Sequence, residues 1–130
     1  MDQKTGTPTT DGAAIINDYL QAVKDRDLKR CVDFYADDAT LIFLSGVFRG
    51  KKAIEDWHKE RFDAQFEILK VDGIRSRDDR VTLDAVITSK RLKTWKINSL
   101  GGRANFRLDK GKIRETKLAP RIQNPFEGRS

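Results

Sequence analysis

The spacing of apolar residues changes from a helical to a strand period along this chain, and that change limits the folds open to it. In the first part Ile15, Ile16, Tyr19, Leu20 and Val23 recur at intervals of three and four, which makes one buried stripe on a helix. Later Val81, Leu83, Ala85 and Ile87 alternate, which makes one apolar face on a strand. Three helices interleaved with one strand, then four strands in a row, predict an α+β domain, in which a curved sheet wraps around a long helix so that each buries the other's apolar face.

The punctuation between these runs divides the chain further. Asp11 is placed to cap a helix running to about Asp25, and Asp27 to cap a short second helix with Leu28, Cys31, Val32 and Tyr35 on one face. Residues 36–40 turn the chain into a strand from about Thr40 to Val47, apolar on both faces and so expected to be covered on both. Phe48-Arg49-Gly50 breaks it, and a third helix runs from Lys51 to about Phe66 with Ala53, Ile54, Trp57, His58, Arg61 and Phe62 on one side. Four strands follow: Glu67 to Ile74, Val81 to about Leu92, Trp95 to Leu108 and Lys112 to Ala119. Asp78-Asp79 and Asp109-Lys110-Gly111 supply turns, and Gly101-Gly102 predicts a bulge that bends the sheet.

Composition fits one domain. There are 130 residues, 38% hydrophobic and 35% charged, and a chain of this size buries roughly two-thirds of its unfolded surface. The domain is expected over residues 11–120, with residues 1–10 and 121–130 as flexible polar tails. The longest apolar run, Leu41 to Leu44, is far short of a membrane span, and the opening residues show no signal-peptide pattern. Cys31 is the single cysteine, so no internal disulfide forms and the cytoplasm is the expected compartment. The net charge is +6, but the 26 basic residues are interspersed with 20 acidic ones. Lys90, Arg91, Lys93 and Lys96 surround one aromatic, Trp95, which is thin for nucleic-acid binding; edge lysines that block sheet aggregation are the plainer reading.

Three stretches resemble a known family. Tyr19-Leu20-Gln21-Ala22-Val23 followed by Asp27-Leu28 and by residues 34–41 is similar to the opening of SnoaL-like proteins. Phe48-Arg49-Gly50-Lys51-Lys52-Ala53-Ile54 resembles their next landmark, and Asn105-Phe106-Arg107-Leu108 with Gly111-Lys112-Ile113 resembles their last hairpin. The resemblance spans about Ala13 to Ala119. It implies the cystatin-like cone of the nuclear-transport-factor-2-like (NTF2-like) superfamily: three N-terminal helices on a strongly curved mixed sheet. It does not imply one function, because this fold hosts isomerases, cyclases, dehydratases, epoxide hydrolases and non-enzymatic binding subunits. Asp37, Asp38 and Gly50 read as turn residues.

The resemblance also directs attention to the mouth between the first helix, the third helix and the concave sheet. In related ketosteroid isomerases a helix-one tyrosine and a neutral carboxylic acid hold an oxyanion, and a strand aspartate is the base. Tyr19 matches the tyrosine and His58 the position of a second pocket tyrosine, but the base position falls on Phe43 and the neutral-acid position on Ala104. Both carboxylates are missing, which argues against steroid isomerisation. The Asp–Arg–Asp set of limonene epoxide hydrolases is absent too, since Lys112 to Ala119 carries no Asp. What remains is the pair Tyr19 and His58: a neutral imidazole beside a phenol can relay a proton. A lone histidine without an orienting carboxylate is more often a pocket-lining group with a structural hydrogen bond.

The expected function is therefore a pocket protein that takes up a small, mostly apolar molecule. Tyr19, Phe43, Trp57, His58, Leu83, Ala85, Ile87, Phe106, Thr116 and Leu118 are expected to line the pocket. An enzyme of the polyketide cyclase, isomerase or dehydratase type, with His58 and Tyr19 as catalytic residues, is the alternative; a protein-interaction module is a third. The first two separate on whether Tyr19 and His58 come within hydrogen-bond reach in an apolar cavity; the third gains if side chains fill that cavity. No metal or cofactor is implied. A homodimer is expected, paired over an outer sheet face carrying Val86, Thr88 and Leu100.

Overall fold

The computed structural model describes residues 12–121. The proposed Asp11 cap, most of both tails and Pro125 lie outside them. Helix α1 (Gly12–Lys24) buries Ile16, Tyr19, Leu20 and Val23 on the stripe its periodicity predicts. It ends without a glycine. Arg26 takes φ +56°, while its N–H bonds Val23 O and the Asp27 N–H bonds Ala22 O, satisfying the last carbonyls. Asp27 then caps α2 (Leu28–Asp33) by accepting from the Arg30 N–H.

The next segment departs from expectation. Tyr35 does not extend the helix face of Leu28, Cys31 and Val32; it opens strand β1 (Tyr35–Phe43) and is fully buried. The single strand expected over residues 40–47 is a hairpin: β1 turns at Leu44-Ser45 into β2 (Gly46–Arg49), with Phe43 opposite Gly46. Phe48 and Arg49 thus belong to a strand. Leu44 holds φ +58° at the turn. That conformation is normally signalled by Gly or Asn, which is why the turn left no trace in the sequence. Helix α3 (Gly50–Asp63) follows and packs Ile54, Trp57 and His58 inward.

Strands β3 (Glu67–Arg77), β4 (Arg80–Thr88), β5 (Leu100–Asp109) and β6 (Lys112–Arg121) form the meander. The sheet order is β2-β1-β6-β5-β4-β3, with β1 and β6 parallel and the other pairs antiparallel. This is the mixed, curved sheet of an α+β cone. Register shifts fall between Tyr35 and Thr40, between Ile68 and Lys70, between Asp72 and Arg75, and between Arg107 and Leu108. Gly101-Gly102 is not one of them: both glycines pair in register with Val86 and Ala85. The glycine that does mark a bulge is Gly73, at φ +60°.

The predicted strand end at Leu92 and strand start at Trp95 are also replaced. A short helix, α4 (Lys90–Thr94), begins where Ser89 accepts from the Leu92 N–H. Ser89 was a readable cap that the run of apolar residues before it obscured. The basic cluster therefore lies on a helix and the loop after it, not on a sheet edge. Among the described residues no helix is long and apolar enough to cross a membrane.

The core gathers Ile16, Leu41, Ile54, Leu83 and Ile113, all 0–1% exposed. Full burial of such a side chain contributes about 1.5–3 kcal/mol. Leu100, assigned from sequence to the outer sheet face, borders the inner cavity instead, and Thr88 is buried. The outer face is largely polar, with Thr82 bonded to Asn105 and Asp84 paired to Arg103.

Candidate functional site

Helices α1 and α3 cross the concave face without closing it, and a cavity of about 380 Å³ remains between them and the sheet. Every residue expected to line a pocket borders this one: Tyr19 from α1; Trp57 and His58 from α3; Phe43 from β1; and Leu83, Ala85, Ile87, Phe106, Thr116 and Leu118 from the sheet. Side chains do not fill it, so the condition attached to the interaction-module reading is not met.

The polar atoms at its inner end form one directed chain. His58 Nδ1 lies 2.7 Å from Ile54 O, and a carbonyl only accepts, so Nδ1 carries the proton. Burial pushes the His58 pKa below the ordinary imidazole value, and the nearby Arg61 charge pushes the same way against the Ile54 bond. The ring is neutral at pH 7. Its Nε2 lone pair must then accept from the Tyr19 hydroxyl, 2.6 Å away. Tyr35 donates to the Tyr19 oxygen at 3.0 Å, which leaves Thr116 Oγ1 as donor to the Tyr35 oxygen, also at 3.0 Å. Protons thus run from Thr116 through Tyr35 and Tyr19 to His58, and the four side chains satisfy one another.

Aromatic packing holds the chain in place. The Tyr19 ring meets Phe34, Tyr35, His58 and Phe106 edge to face at 5.6–5.9 Å. Such contacts contribute about 0.5–1.5 kcal/mol each beyond their burial. Burial holds the Tyr19 pKa well above the ordinary phenol value and pushes Tyr35 up to about 12.

Sequence reasoning missed two members of the site. Tyr35, the middle of the chain, was hidden because its spacing from Leu28, Cys31 and Val32 mimics a helix. Arg61 was placed on the correct side of α3 but given no role; its position four residues after Trp57 was the available signal. Its guanidinium lies over the Phe43 ring at 5.3 Å and the Trp57 ring at 4.9 Å. Arg91, Leu92 and Trp95 complete the outer rim.

The model of the SnoaL-like domain matches residues 16–116. The chain belongs to the SnoaL-like family. No curated protein matches it in sequence. Among solved structures, this SnoaL-like chain is similar to a protein from Sphaerobacter thermophilus (TM-score 0.76, 18% identity, 88% of this chain and 99% of that one). It is similar to SalBIII, an epoxide hydrolase/cyclase-like enzyme in pyran ring formation in the polyether salinomycin (TM-score 0.72, 16% identity, 84% and 89% covered). It is also similar to a cystatin fold protein from Novosphingobium aromaticivorans (TM-score 0.70, 13% identity, 88% and 99% covered). At these identities the likeness is one of fold. Phe43 and Ala104 stand in the cavity wall, and Glu60 is the one acidic residue bordering the cavity among the described residues.

Proposed function

We propose that this SnoaL-like protein binds a small, mostly apolar molecule in the cavity between α1, α3 and the sheet. The observation that carries the reading is an unfilled cavity of about 380 Å³ walled by Phe43, Leu83, Ala85, Ile87, Phe106 and Leu118. Pockets of this size and lining suit small molecules, with a few polar groups to orient them. The chain from Thr116 to His58 is satisfied internally, so it presents few unmet hydrogen bonds to an occupant and favours an apolar one. The test is titration of the protein with naphthalene, followed by fluorescence of Trp57 and Trp95, both of which border the cavity. One-site saturation that is lost on Ala85→Leu, a cavity-filling change, is expected. Absence of saturation, or binding indifferent to Ala85→Leu, sinks the reading.

The alternative is catalysis, and the 2.6 Å Tyr19–His58 bond in an apolar cavity favours it. SalBIII offers a cyclase-like precedent on the same fold. Tyr19 would take a proton from the substrate as its own passes to Nε2 of His58. The resulting imidazolium would be buried, with no carboxylate among the groups that bear on it, and that ranks catalysis second. His58→Gln abolishes turnover if catalysis is right and only alters affinity if the protein is a binder. Two-fold pairing over the outer sheet face is part of the proposal; with Leu100 turned inward, it rests on half-buried Val86 and exposed Leu69.

A further inference from the structure

The charge around the cavity is one-sided. Arg61 and Arg91 border it, Arg103 lines it but carries its guanidinium on the outer face of the sheet, and Glu60 is the only acid that borders it among the described residues. Arg103 is already committed, with Nε and Nη2 donating to the two carboxylate oxygens of Asp84 at 2.9 and 3.3 Å. Arg61 is held differently. Its side chain is 21% exposed and its guanidinium is stacked on two aromatic rings, while its ion pair is made through Nη1 to Glu60, a neighbour in sequence whose side chain is 67% exposed. Stacking occupies the guanidinium's face and leaves its edge, where the N–H groups lie, to meet a planar two-oxygen partner. Arg91, on α4, adds a second positive charge close enough to bear on Arg61. Opposite these cations the walls are apolar. Two like charges beside a half-desolvated rim are unfavourable in the empty protein and become favourable once an anion sits between them.

We propose that the cavity takes an apolar molecule ending in a single carboxylate, with Arg61 binding that carboxylate and Arg91 drawing it to the rim. This rests on the pocket reading above and narrows it to a substrate class: hydrophobic carboxylic acids, bound with the body inward and the carboxylate outward. The inner chain from Thr116 to His58, having its own protons placed, would touch the apolar end.

The experiment is calorimetric titration with three ligands sharing one ring system: 2-naphthylacetate, its primary amide and 2-naphthylmethylamine. The carboxylate is expected to bind about tenfold tighter than the amide, with the amine weakest. Arg61→Gln should erase the preference. Arg61→Lys, which keeps the charge but loses the fork, should retain part of it. Arg91→Gln, on an exposed residue outside the core, should weaken carboxylate binding several-fold, and more so at low salt. Equal binding of all three ligands to the unaltered protein, or a preference for the amine, overturns the carboxylate inference and leaves the pocket reading standing. A carboxylate preference that survives both Gln substitutions overturns the assignment to Arg61 and Arg91. If none of the three binds, the pocket reading itself fails and takes this inference with it.

Discussion

Val81 and Ile87 lie on one strand and face the same way, yet Val81 is 1% exposed while Ile87 borders an open cavity. The strand is equally apolar at both ends, so the difference lies in what covers it. At the Val81 end α1 settles directly on the sheet: a Cβ on Gly12 would come within 2.8 Å of Val81 Cγ2 and 2.9 Å of Leu108 Cδ1. The absent side chain is what permits that approach. At the Ile87 end the short helix α4 borders only the rim of the cavity, and of its residues only Leu92 is even partly buried. One end is thus packed shut and the other left open, on strands whose apolar pattern does not distinguish them.

The largest effect that should separate the two ends is on stability. Ile113→Ala at the closed end should cost about 2–5 kcal/mol, whereas Leu92→Ala at the rim should cost below about 1 kcal/mol. Urea unfolding of the two variants measures this directly, and equal losses would break the comparison. Tyr35→Phe comes next. It removes the middle of the hydrogen-bonded chain, orphans the Thr116 hydroxyl and should cost about 1–3 kcal/mol.

Two pH effects sharpen the picture of the buried chain. The folded protein disfavours protonated His58, so the unfolded state binds the proton first as pH falls. Stability should hold above the usual imidazole value and decline as pH drops through it toward the lower folded value. His58→Gln should remove that decline; an unchanged acid arm in the variant would show that another group causes it. On the alkaline side, Tyr19 and Tyr35 are the only two tyrosines in the chain, so absorbance at the tyrosinate band reports them alone. Both have raised pKa values. Their contribution is present below the unfolded phenol value and is lost as pH rises toward about 12, the folded value of Tyr35. Tyrosinate should therefore appear together with unfolding. Smooth ionisation of the folded protein near the ordinary phenol value would contradict the burial.

The smallest effect is expected on the outer face. Val86→Lys should change the stability of the folded chain by within about 0.5 kcal/mol and shift a dimer toward monomer in sedimentation velocity. A parent protein that sediments as a monomer at micromolar concentration would remove the pairing proposal.

Much of this was legible in the chain's own periodicity. The stripe of α1, the alternation of β4 and the turn at Asp109-Lys110-Gly111 depend on neighbours in sequence, so spacing and turn chemistry reveal them. So did the residues bordering the cavity, because the family resemblance and the odd-even rule together put their side chains on the concave face. The failures have two causes. Leu44 turns a hairpin without a turn residue and Tyr35 begins a strand while keeping helical spacing; both are decided by long-range packing that local propensity does not record. Ser89 starts a helix inside what reads as a strand, and there the signal is a local cap masked by the apolar residues before it. The direction of the proton chain was equally out of reach, since Thr116, Tyr35, Tyr19 and His58 come from β6, β1, α1 and α3. Sequence determined which faces had to be buried. Only the tertiary structure decided where burial stops, because a cavity is set by the distance between elements and not by the pattern within any one of them.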